Sequence, residues 1–298
     1  MTPVKRIELS AGTIDYRDTG GDGPAIVLLH GLMMDASLWD GPIADLAAGY
    51  RCVAPTLPLG AHRHGMHDGA DLSLPGIARL VLEFIGRLDL DDVTLVGNDT
   101  GGALVQLLMG PLADEDGAAF SGQRIGRVVL VSCEAFDNFP PGLTGKTLML
   151  SGKLSPPLFG LFMRQMRFRM LRRSPLAFGW LTRRGDATVA GWMKPASTRP
   201  EVRRDAVRML RAAAADTSLL LDAAKQLPNF DRPALVVWAI DDRVMPPEHG
   251  RRLAELLPVA TLIEIADSDT LIPLDQPRRL ARAIREFTRS PRATEPPR

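Results

Sequence analysis

The chain has 298 residues, enough for one large α/β domain with an insertion or for two modest domains. Hydrophobic residues make up 45% and charged residues 24%, and the formal net charge of +1 gives no global field that would argue for nucleic acid. No apolar run reaches the roughly 18 residues of a membrane span, and the N-terminal Met1-Thr2-Pro3-Val4-Lys5-Arg6 lacks the apolar core of a signal peptide, so a cytoplasmic protein is expected.

Residues 5–9 and 13–17 flank Gly12 and predict an antiparallel hairpin at a sheet edge. Short apolar runs follow at 25–29, 52–54, 93–96, 128–131, 234–238 and 261–265, with amphipathic stretches such as 74–88 and 247–257 between them. That alternation predicts an α/β fold, a mostly parallel sheet with helices on both faces. Cys52 and Cys133 lie in two of the apolar runs and read as buried free thiols. The alternation stops between Phe139 and Gln226, where Pro140-Pro141, Pro156-Pro157, Pro175, Pro195 and Pro200 punctuate helical patterns. Residues 1–138 and 227–289 are therefore expected to form a core, 139–226 a helical insertion, and 290–298, rich in Pro, Arg and Thr, a disordered tail.

The most informative stretch is Asn98-Asp99-Thr100-Gly101-Gly102. It follows the strand-like Val93-Thr94-Leu95-Val96-Gly97 and precedes an apolar helical run, 103–109. A polar residue among small ones at a strand-to-helix turn is the nucleophile-elbow pattern. An aspartate at a strand end also serves as a helix N-cap, but the glycine pair has no capping purpose; it lets the turn tighten and the helix approach the sheet. A carboxylate at the elbow attacks saturated carbon or an epoxide and forms an ester with the protein.

The order of elements and motifs resembles the α/β-hydrolase superfamily over nearly the whole chain, above all the branch with an aspartate nucleophile, the haloalkane dehalogenases and epoxide hydrolases. The resemblance implies an eight-stranded, mostly parallel sheet and a helical cap at 139–226 over the active site. Leu28-Leu29-His30-Gly31-Leu32, followed by Trp39, resembles the His-Gly segment whose loop supplies an oxyanion-hole amide. Leu32 and Thr100 are then the expected amides, with His30 a packing and hydrogen-bonding residue. Val237-Trp238-Ala239-Ile240-Asp241-Asp242-Arg243-Val244-Met245-Pro246 resembles the segment bearing the triad acid, and register assigns that role to Asp242, leaving Asp241 a solvated charge. In many haloalkane dehalogenases the acid follows the sixth strand instead, where this chain has Glu134. A strand-end glutamate facing an apolar cap is hard to ionise unless paired and suits a protonated acid.

The family's histidine is missing. Asp275-Gln276-Pro277 sets the register of Asp267-Ser268-Asp269-Thr270-Leu271, and Thr270 falls on the histidine. Threonine is no general base at neutral pH. An aspartate nucleophile displaces its leaving group without the histidine, which is needed afterwards to activate the water that cleaves the ester. A chain so altered traps its ester, turns over slowly, or performs something other than hydrolysis. His62, His64 and His67 lie in the loop after the fourth strand, at the ligand-binding end of such sheets, and are candidates to replace the base; a solvated loop is the plainer reading. His249 reads as exposed. The substrate-specific residues of the family also fail. Tyr16 and Tyr50 lie outside the insertion, and Thr100 and Leu32 stand where dehalogenases hold halide. Trp180 and Trp192 could donate from the insertion or simply pack there.

Residues 143–185 carry nine basic residues and no acidic one, with Phe and Met interleaved. This pattern reads as a solvated face, or as a surface for an anionic carrier, a phosphate-bearing ligand or a membrane. The expected ligand is a hydrophobic small molecule, with or without an anionic group; no cofactor, metal or nucleic acid is expected. Three functions remain open on the sequence: an Asp-nucleophile hydrolase with an altered triad, a non-hydrolytic lyase or cyclase, and an inactive ligand-binding homologue.

Overall fold

The computed structural model describes residues 2–110, 112 and 124–290. The tail expected at 290–298 therefore lies, beyond Ser290, outside the described residues. Eight strands form one sheet: β1 (Val4–Leu9), β2 (Gly12–Asp18), β3 (Ala25–Leu29), β4 (Arg51–Pro55), β5 (Val93–Asn98), β6 (Ile125–Val131), β7 (Ala234–Ala239) and β8 (Ala260–Ile265). Their order is β1-β2-β4-β3-β5-β6-β7-β8. The edge hairpin β1–β2 is antiparallel and joins β4 antiparallel; every other pairing is parallel. The strands are one to three residues longer at some ends than the apolar runs, because polar or glycine residues such as Gly97 and Asn98 continue the ladder where apolar patterning has stopped.

Burial follows position in the sheet. β5 and β7 are buried along their whole length, as expected of central strands covered on both faces, whereas β1 is mostly exposed. Its Lys5 and Arg6 pair with Asp18 and Asp15, charges that blunt an open edge.

The core helices are α1 (Asp40–Leu46), α2 (Leu74–Arg87), α3 (Thr100–Met109), α10 (Pro247–Leu256), α11 (Ile272–Asp275) and α12 (Pro277–Arg289). Between β6 and β7 lie α4 (Gly142–Ser151), α5 (Pro156–Gln165), α6 (Arg169–Arg172), α7 (Asp186–Thr198), α8 (Pro200–Ala215) and α9 (Leu219–Gln226), with no strand among them. The prolines of this insertion largely mark helix starts. Pro156-Pro157 open α5 and Pro200 opens α8, where the missing N–H costs nothing; Pro195 sits inside α7. α5 packs on α7 and α8, α4 on α8, and α9 on α3 of the core. Buried Asp205 on α8 ties the insertion to the loop after β4 by accepting from the Met66 amide at 2.7 Å.

Three glycines allow β3, β5 and α3 to approach. A Cβ on Gly97 would lie 2.3 Å from the Gly101 carbonyl oxygen, one on Gly101 would lie 2.3 Å from that of Leu29, and one on Gly102 would lie 2.4 Å from Cys133 Cβ. Gly101→Ala meets backbone, which cannot swing aside, and should cost about 2 kcal/mol or more. Gly191 on α7 has open space around its Cα, so Gly191→Ala should stabilise by about 0.5–1 kcal/mol through helix propensity. Urea unfolding of both variants checks the pair; equal effects would contradict the close approach at the elbow.

Candidate active site

β5 ends at Asn98 and α3 begins at Thr100, leaving Asp99 alone to turn the chain. It does so at φ 56° and ψ −132°, a left-handed conformation that a non-glycine residue adopts only under constraint. The turn aims the carboxyl back toward the His-Gly loop. Asp99 Oδ1 accepts from the Thr100 amide at 2.8 Å and the Leu32 amide at 3.1 Å. Both sequence-expected amides thus converge on one oxygen of Asp99. Oδ2 has no hydrogen bond among the described residues, and Asp99 lines a cavity.

Glu134 lines the same cavity, and Thr100 joins the two acids. Thr100 Oγ1 lies 3.1 Å from Asp99 Oδ1 and 2.9 Å from Glu134 Oε1. One hydroxyl has one proton, so both contacts are hydrogen bonds of their own when one of the two acids is protonated and donates to Thr100 while Thr100 donates to the other. Burial pushes the Glu134 carboxyl well above the usual range, and the charge of Asp99 pushes it further, which favours Glu134 as the protonated acid. Burial also raises Asp99; the Thr100 and Leu32 amides oppose it.

Asp242 and Thr270 form a second pair, with Thr270 Oγ1 2.8 Å from Asp242 Oδ1. The amides of Val244 and Met245 donate to the same oxygen, each at 2.9 Å. Asp242 Oδ2 is buried with no partner. Neither residue lines the cavity. Asn98 fastens the Thr270 loop to the elbow: the two N–H groups of its Nδ2 are shared among the carbonyls of Val131, Ser132 and Thr270.

The cavity holds about 700 Å³ of atom-free space, counting its open mouth. Above the two acids its wall comes largely from the insertion, including Leu148, Phe162, Met163, Met166 and Phe178. Its lining includes no Lys, Arg or His.

The loop histidines lie elsewhere. His62 is buried with Nε2 3.5 Å from Asp205, His64 is 3.0 Å from Asp15, and His67 is exposed beside Glu8. None lines the cavity, so the loop after β4 supplies no imidazole to Asp99. His249, expected to be exposed, is half-buried with its ring edge-on to Phe136. His30 is buried and neutral: Nδ1 donates to the Gly31 carbonyl, Nε2 accepts from the Leu57 amide, and burial lowers its pKa to about 4. Trp192 donates to Asp35 and Ser37 rather than into the cavity, and Trp180 does not line it either.

Sequence reasoning missed three parts. The Thr100 hydroxyl and the Asn98 amide had a signal in their place beside the elbow, but their partners are remote in the chain. Asp241, Asp267 and Asp269 all pair with Arg183, and Asp267 also with Arg184. A triplet of aspartates together with the acid-free basic stretch 143–185 was the available sign. Asp241 is therefore an ion-pair member as well as a partly solvated charge.

Residues 26–283 match the family model described as "Alpha/beta hydrolase family". The chain belongs to that family. Among its relatives, the protein named haloalkane dehalogenase 2 of Mycobacterium tuberculosis is 28% identical over 280 residues, covering 93% of this chain and 92% of that one. The protein named 2-hydroxy-6-oxononadienedioate/2-hydroxy-6-oxononatrienedioate hydrolase of Cupriavidus pinatubonensis is 26% identical over 259 residues, covering 84% and 81%. The structure of 2-hydroxy-6-oxo-6-phenylhexa-2,4-dienoate hydrolase from Rhodococcus sp. strain RHA1 superposes with a TM-score of 0.76 at 20% identity, covering 97% and 99%, and shares the fold.

In this α/β-hydrolase chain burial lifts Asp242 to about 7 from an ordinary 3.8. Between those values the unfolded chain releases a proton that the folded chain keeps, so stability falls as pH rises through the window and stays lower above it. Asp242→Asn keeps the Oδ1 acceptor and removes the buried charge. It should raise the stability above about pH 7 by an amount on the order of a few kcal/mol, and the melting temperature with it, and change little near pH 4. Thermal unfolding across pH tests this; parallel profiles for variant and wild type would refute it.

Proposed function

We propose that this chain uses Asp99 as a nucleophile toward a hydrophobic small molecule, with Asp242 and Thr270 standing where the family has its acid and its base. The reading rests on one observation: Asp99 Oδ1 is held by two backbone amides while Oδ2 is unpaired on a largely apolar cavity. Oδ2 attacks a saturated carbon, the carbon–leaving-group bond breaks, and the leaving group departs with the electron pair. The product is a neutral alkyl ester of Asp99. In the second step water attacks Cγ of that ester, and negative charge develops on Oδ1, where the Leu32 and Thr100 amides already point. Water must lose a proton in that step, and the Thr270 hydroxyl does not accept one at neutral pH. The ester then accumulates.

The lining without Lys, Arg or His favours an uncharged buried part for the ligand. An anionic group on it would remain at the arginine-bearing outer side. The Thr100 bridge supports a second reading, in which Glu134 acts as an acid through Thr100 and the chain is a lyase or cyclase rather than a hydrolase. An inactive ligand-binding homologue is the third.

The relative named haloalkane dehalogenase 2 directs the choice of alkyl halides as first probes. Incubation with apolar alkyl halides should add one alkyl group per chain, seen by intact mass spectrometry and mapped to Asp99. Asp99→Asn should abolish the adduct. Thr270→His, beside Asp242, should release it at least about a hundredfold faster. Halide release without adduct in the wild type would mean that another base acts. Neither adduct nor release, with ligands that bind, would reject Asp99 as a nucleophile toward this class and leave the lyase and binding readings.

A further inference from the structure

Eight of the eleven large apolar side chains that stand exposed among the described residues fall between positions 143 and 176, on or beside α4, α5 and α6. Met170 is 82% exposed and Leu150 64%, and Leu158, Leu161, Phe168 and Leu176 are each about half exposed. A concentration of this kind marks an interaction surface.

α5 divides its side chains by face. Leu158, Leu161 and Arg164 follow at intervals of three on the outside, while Phe162 and Met163 line the cavity. On α4 Leu143, Lys146 and Leu150 lie outside while Leu148 lines the cavity. Leu176 does both, so the outer apolar surface runs on into the cavity wall.

The charge on this face has one sign. Arg169 and Arg172 are committed to Asp186, but exposed Lys146, Lys153, Arg164, Arg167 and Arg173 form no ion pair among the described residues. Apolar side chains interspersed with unpaired cations match the two layers of an anionic bilayer, acyl chains beneath phosphates. No helix among the described residues is long and apolar enough to cross a membrane, so the contact would be with the surface.

We propose that the outer face of α4–α6 docks on an anionic lipid bilayer, with the cavity entrance beside the acyl region, so that an apolar ligand enters from lipid. This goes beyond the nucleophile reading and does not depend on it.

Flotation with phosphatidylcholine vesicles, with and without phosphatidylglycerol, tests the surface. The wild type should float with the phosphatidylglycerol vesicles, less so at high salt, and weakly with phosphatidylcholine alone. Removing a cation near an anionic surface weakens binding roughly fivefold, so Arg164→Glu, Arg167→Glu and Arg173→Glu together should weaken it by about a hundredfold or more. Leu158→Ser, Leu161→Ser and Met170→Ser together should weaken binding to both vesicle types. Both triple variants should keep the wild-type circular dichroism, since all six side chains are exposed, and Asp99→Asn should bind like wild type. Equal binding to both vesicle types, no binding to either, or unchanged binding by folded triple variants would overturn the proposal. So would light scattering that shows a dimer dissolved by the leucine substitutions, which would make the face a contact between two copies of this chain.

Discussion

The single residue turn at Asp99 is the constraint on which the rest of the site depends. Its backbone conformation carries a cost on the order of 1–3 kcal/mol, which persists only where the surroundings enforce it. They do so from three strands. The Asp99 amide donates to the Ser132 carbonyl just beyond β6, the carboxyl receives the Leu32 amide just beyond β3, and Asn98 at the end of β5 reaches the loop of Thr270. Gly31 belongs to the same constraint: a Cβ there would lie 2.1 Å from Asp99 Oδ1, so only glycine lets the carboxyl reach the loop. The strained turn and the Leu32 and Thr100 amides are thus one arrangement, in which the Asp99 carboxyl holds the loop in place.

That arrangement gathers acid groups where no cation answers them. Asp99, Glu134 and Asp242 are all buried, all pushed upward by burial, and the cavity lining has no basic side chain. A buried carboxylate without a cation escapes its penalty by binding a proton or by collecting N–H donors. The three divide these solutions. Asp242 takes two backbone amides and a hydroxyl and still rises to about 7. Asp99 takes two amides and the Thr100 hydroxyl. Glu134, where burial and the charge of Asp99 outweigh its own amide and the Thr100 hydroxyl, rises well above the ordinary value. Keeping Glu134 neutral lowers the repulsion on Asp99 and so helps Asp99 ionise.

The sequence carried the strands and the elbow because both are local. Apolar runs of strand length and a carboxylate followed by two glycines are visible without knowing any partner. The expectation for Thr270 rested on Asp275-Gln276-Pro277 only a few residues away, and the structure has the Thr270 hydroxyl 2.8 Å from Asp242. What stayed hidden depends on pairs distant in the chain. Thr100 and Glu134 are 34 residues apart, and His64 finds Asp15 49 residues back, so the histidine cluster that looked available for catalysis is spent on other contacts. Periodicity reports which face a residue occupies, not which charge waits across the fold.

The segment around Thr270 also has a structural role. Asp275 is buried and accepts from the Thr182 hydroxyl and from the amides of Arg183, Arg184 and Asp269, binding the insertion and the Asp267–Asp269 segment to one carboxyl. Around it Arg183 and Arg184 reach Asp241, Asp267 and Asp269 at partly exposed positions, where each pair alone is worth little. The buried Asp275 network is the stronger part, since loss of its acceptor would strand several donors at once. Thr270 takes no part in it; its hydroxyl faces Asp242 on the other side of the loop. The hold on the insertion and the chemistry at position 270 are therefore separable: the loop can keep the cavity roofed whatever side chain stands beside Asp242.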